Sequence, residues 1–157
     1  GASPAIASQM YDLGVLFGEI IQIEDDLTDA LATPANADWR QGRNNLLILY
    51  AQTTDHPHNG RFVDLLPQID DPAALAEAQQ ILVSSGAVAY CAYLLISRYQ
   101  AADRILSGMT LANPRPMTEL LDSYADSLLR LLSLAGVELP RESLHDTISI
   151  QPIEKGI

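Results

Sequence analysis

Residues 18–29 read GEIIQIEDDLTD. Glu24, Asp25, Asp26 and Asp29 crowd the second half of a segment whose Ile20, Ile21, Ile23 and Leu27 are core-like residues. The apolar residues belong to a longer pattern. Met10, Leu13, Phe17, Ile20, Ile21, Leu27 and Leu31 recur at three- and four-residue steps, which predicts a helix from about Ile6 to Leu31. On that helix Gln22, Asp25, Asp26 and Asp29 are spaced by three, four and seven positions, and the spacing predicts a shared face. A solvated acidic stripe is the ordinary fate of such a run. Two features oppose it here. Like charges at these spacings repel, and no Lys or Arg lies within a helical turn to offset them. The flanking apolar residues also cover most of the remaining surface, which suits a bundle helix whose polar strip lines a chamber. Carboxylates gathered there need cations. Oxygen-only ligands at this spacing suit Mg2+, which would in turn hold a phosphate.

Outward from this helix the chain reads as all-α. Pro34 stops the first helix, and Asp38 is placed to cap a second one over roughly residues 39–52. The turn-rich TTDHPHNG leads to a short helix ending near Pro67. Asp70 or Asp71 caps the next helix, with Pro72 in its first turn, and Gly86 in SSGA marks a break. A long apolar helix follows from Val88 to about Leu106, then a linker and a last helix over residues 117–134. The tail, 136–157, is polar with scattered isoleucines, so the expected organisation is a helical unit over 1–135 followed by that tail. No alternating strand pattern is visible.

The 157 residues and 48% apolar content allow one domain with a sizeable core. Twenty acidic residues stand against nine basic ones, and the net charge of −11 argues against a nucleic-acid backbone or an anionic membrane as partner. A phosphorylated ligand would need bridging metal. Cys91 is the single cysteine, no zinc-type spacing exists, and a reducing, cytoplasmic setting is expected. No run approaches the roughly 18 apolar residues of a membrane helix. Tyr90, Cys91, Tyr93 and Tyr99 read as packing residues in an apolar helix, His56 and His58 as solvated loop residues, and Arg98 and Arg104 as surface ion-pair partners.

QIEDDLTD resembles the second aspartate-rich motif, DDxxD preceded by Gln, of the trans-isoprenyl diphosphate synthases, which have the class I isoprenoid synthase helical bundle. Other segments resemble the family in order. DWRQGRNNLLILYA is similar to its Asp…Gly-Lys-x-Thr-Leu-Pro…Ala stretch, the SSGAVAYCAY region to its helix break, and MTELLDSYADSLLRL to its closing helix. The likeness covers nearly residues 1–135. It implies Mg2+ binding by Asp25, Asp26 and Asp29, substrate contact by Gln22, a supporting role for Asp38, and diphosphate contact by Arg43 in place of the family's Lys. The implied activity is a prenyltransferase condensing an allylic diphosphate with isopentenyl diphosphate, in a homo- or hetero-oligomer.

Departures shape the expectation. Nothing in the chain corresponds to the family's earlier aspartate-rich motif, the 30–37 loop contains no Lys, Asn45 replaces Thr, Leu47 replaces Pro, and Glu19 is an extra acid. In the family two acidic motifs face each other and share magnesium around one diphosphate, so half the cluster would bind metal weakly and would not hold a leaving group. With Gly1 in place of Met, the expectation is the C-terminal half of the bundle, inactive without an N-terminal half carrying the first motif. A class I terpene cyclase shares the ionisation step, and a non-catalytic regulatory subunit accounts for the absent motif.

Overall fold

The computed structural model describes residues 3–41, 45–134 and 138–144. No strand occurs among them, and the fold is all-α. The first helix, α1, spans Pro4–Leu31. The Ser3 side chain accepts the Ile6 N–H at 3.3 Å, and Pro4 occupies the first turn, where its missing N–H costs nothing. Leu13, Phe17, Ile20, Ile23, Leu27 and Ala30 form its buried stripe.

The expected single helix over 39–52 is two helices, α2 (Ala37–Gln41) and α3 (Leu46–Thr53). The leucine run continues the helical period, so periodicity alone hid the break. Asn45 makes it: its backbone is extended (φ −84°, ψ 128°), and its side chain accepts the N–H groups of Leu47 and Ile48 at 3.1 and 3.3 Å. Asp38 does not cap α2. It sits inside the first turn, and the Asn36 side chain accepts its N–H at 3.0 Å.

The short helix α4 (Asn59–Leu65) runs into a 3-10 turn, Leu66–Gln68, around Pro67. Asp71 caps α5 (Pro72–Ser84) by accepting the Ala73 N–H at 2.9 Å, while Asp70 pairs with Arg40 at 2.8 Å. Gly86 takes φ +89°, and α6 (Ala87–Gly108) leaves α5 at a bend of 56°. The last helix, α7, spans Arg115–Leu134 and starts two residues before the expected Met117. Part of the tail is packed: a 3-10 turn, Arg141–Leu144, buries Leu144 completely and places Arg141 between Asp122 and Asp126 of α7. Among the described residues no single helix is long and apolar enough to cross a membrane.

The centre is a three-helix core. α1 packs most extensively on α6 and also on α7. Glu19 pairs with Arg98 while Asp26 lies near Cys91, so α1 and α6 run antiparallel. Phe17 and Tyr124 meet with ring centroids 5.4 Å apart, and Glu24 bonds Ser127 further along, so α7 runs parallel to α1. α3 lies against both α1 and α6, where Tyr50 stacks on Tyr90 at 5.1 Å.

Candidate functional site

Each residue of an α-helix turns the chain by about 100°, so neighbouring acids cannot point the same way. Asp25 and Asp26 follow that rule. Asp25 is exposed on the outward face of α1 with Gln22, Asp29 is half-buried, and Asp26 turns inward and is 8% exposed. The four residues therefore do not make one strip lining a closed chamber. Their shared spacing holds, but the body of the protein lies on one side of it only.

Asp26 is held by α3. One carboxylate oxygen accepts the Leu46 N–H at 3.0 Å, and the other accepts the Gln22 side-chain N–H at 3.3 Å. Its backbone carbonyl accepts from Asn45 Nδ2 at 2.7 Å. Leu46, Leu47 and Ile48 supply the first free N–H groups of α3, and Asp26 and Asn45 together satisfy all three. Burial pushes the Asp26 carboxyl above its ordinary range. The bonds from Leu46 and Gln22 oppose that rise, and the charges of Asp38 and Asp29 add to it.

Asn45 is completely buried and also reaches Asp38, donating to its Oδ2 at 3.4 Å. The fold thus brings Asp26, Asp29 and Asp38 into one neighbourhood beside the start of α3. Arg43, the expected diphosphate contact, lies outside the described residues. Glu24 faces α7, where the Ser127 hydroxyl bonds it; its Oε1 is buried without a hydrogen-bond partner. A groove of about 460 Å³ between the ends of α1 and α7 has Thr28, Leu31, Ala32 and Leu131 among its walls.

Among the described residues no group of three His, Cys, Asp or Glu side chains is arranged to hold a metal ion. Asp26 is committed to the Leu46 N–H and the Gln22 side-chain amide, leaving exposed Asp25 and half-buried Asp29, one helical turn apart. Mg2+ is commonly held by one or two carboxylates with the rest of its shell from phosphate and water. The residues present do not fit a bare, protein-enclosed ion; a magnesium ion here would need most of its shell from phosphate or water.

Other sequence candidates resolve simply. Cys91 and Tyr99 are buried, and burial pushes the Cys91 thiol up to about 12, too high for a nucleophile. Tyr90 and Tyr93 are partly exposed, but Tyr90 still stacks on Tyr50, so of the four expected packing residues Tyr93 is the one with no buried or stacked position shown. The His56 ring bonds the Ala51 carbonyl at 2.8 Å. Arg98 pairs with Glu19, which gives that unexpected acid a structural partner. Asn45 is the residue that sequence reading passed over, although an Asn directly before an apolar run is an N-cap signal. The chain matches no protein-family model, no curated protein and no solved structure.

Proposed function

We propose that the chain is the part of a trans-prenyltransferase that presents its second acidic motif. Asp25 and Asp29 take up Mg2+ together with the diphosphate of an allylic substrate, and Gln22, Asp38 and Arg43 orient that diphosphate. Magnesium held there would supply the positive charge that stabilises the departing diphosphate. The allylic C–O bond breaks with its electron pair leaving on diphosphate, the isopentenyl double bond forms the new C–C bond, and a proton is lost. A second helical segment carrying the other acidic motif completes the site.

One observation carries the reading. Asp25 is exposed and Asp29 half-buried one turn further along α1, and no cationic side chain among the described residues pairs with either. Acids left uncompensated next to a third, buried acid suit a cation that arrives with its ligand. The face of α1 leading to Asp25 supports a covering partner. Tyr11, Val15 and Ile21 are 73%, 44% and 45% exposed, and Gly14 and Gly18 between them have open space above.

Half of the acidic cluster binds weakly, so the test is calorimetric titration of MgCl2 into concentrated protein with inorganic diphosphate, in which weak uptake is expected. Asp25→Ala is expected to weaken the magnesium-dependent uptake of diphosphate at least about tenfold, the loss of one charge-assisted contact. No uptake by the parent chain, or equal uptake by the variant, removes the assignment. A non-catalytic subunit is the second reading, favoured by the absence of a three-ligand metal group among the described residues. It expects no uptake, and binding to a complete synthase instead.

A further inference from the structure

We propose that Asn45 is a positioning residue for the acidic site, fixing the Asp38 carboxylate relative to the turn of α1 that bears Asp25 and Asp26. The inference rests on the proposed role of those acids but adds a residue that the role itself does not name.

Asn45 is the one uncharged polar side chain fully buried among the described residues, and its bonds divide in two. Its Oδ1 accepts the Leu47 and Ile48 N–H groups, which is ordinary capping of α3. Its Nδ2 looks the other way. It donates to the Asp26 carbonyl at 2.7 Å and to Asp38 Oδ2 at 3.4 Å. Capping needs only the oxygen, and Ser or Asp caps as well as Asn. The donors are what the cap does not require. They join α1, through the backbone of Asp26, to α2, through Asp38. Asp38 and Asp26 repel, since the Asp38 charge helps to raise the Asp26 carboxyl. A neutral amide donating to both elements holds the two acids close without adding a competing charge. Lys or Arg at this position would set a fixed positive charge against both acids instead.

The two functions separate by substitution. Asn45→Ser and Asn45→Asp both keep a capping oxygen and lose the amide donors. Three readouts follow: amide exchange at Leu47 and Ile48, the side-chain carboxyl 13C resonance of Asp38, and the calorimetric titration of MgCl2 with inorganic diphosphate. The expected result in either variant is protected amides, a shifted Asp38 resonance, and diphosphate uptake weakened about tenfold, the scale of one hydrogen bond to a charged group. An unmoved Asp38 resonance overturns the proposal and reduces Asn45 to a cap, whether or not the amides stay protected. A shifted resonance with unchanged uptake overturns the link to the site. If the parent chain takes up no diphosphate, the proposed function falls, and the link to the site with it. In that case the Asp38 resonance still shows whether Asn45 holds the carboxylate in place.

Discussion

Glu24 is one position from Asp25 and has a different fate. It faces α7, where burial raises its carboxyl above the ordinary value of 4.5; the Ser127 bond and the Arg130 charge oppose the rise, and the Asp25 charge reinforces it. One of its oxygens is buried with no partner, an arrangement that costs more for a charged group than for a neutral one. Glu24→Gln removes the charge and keeps an acceptor for Ser127. Its melting temperature at neutral pH is expected to exceed the parent's. The pH dependence follows from the direction of the shift: a carboxyl raised on folding is favoured in its protonated form. The parent therefore gains stability as pH falls through the raised value towards 4.5, and its melting temperature closes on that of the variant. A gap that stays constant between pH 7 and pH 5 would show that ionised Glu24 is not strained. In the sequence Glu24 is one of four clustered acids. Its environment depends on which helix packs at that angle of α1, and no local pattern encodes that.

At the scale of elements, two breaks organise the chain, and they differ in legibility. Gly86 was readable as a break because glycine separates two helical patterns, and the structure adds the reason, a left-handed φ of +89°. Space is not the constraint there. A Cβ would meet only the Tyr50 hydroxyl, at an ordinary 3.7 Å. Gly86→Ala is therefore expected to cost about 1–2 kcal/mol, the backbone penalty of a left-handed residue with a side chain. Urea unfolding measures it, and an unchanged midpoint would mean the α5–α6 corner relaxes. The break between α2 and α3 was not readable from periodicity, because Leu46–Tyr50 continues the apolar run. It exists because Asp26, nineteen and twenty residues earlier, bonds Asn45 and Leu46. That is a tertiary interaction acting on a local boundary.

For the molecule as a whole, α1 is the central element, with α6 and α3 on one side and α7 on another. Leu27, on the buried stripe of α1, is fully buried. Leu27→Ala is expected to destabilise the chain by about 2–5 kcal/mol, through lost transfer energy and an unfilled cavity, as read by thermal or urea unfolding. A smaller loss would mean that α1 settles into the space. The all-helical class, the course of α1, the Asp71 cap and the Gly86 corner could be read from residue order, because helical period, capping chemistry and glycine's conformational freedom act over a few residues. Which acids face outward could not. Asp25 and Asp26 are chemically alike and adjacent; helix geometry turns them apart, and the packing of α3 and α6 on one side of α1 decides which one is buried. Contact between segments distant in sequence makes that choice, and it does so only once the helices have packed.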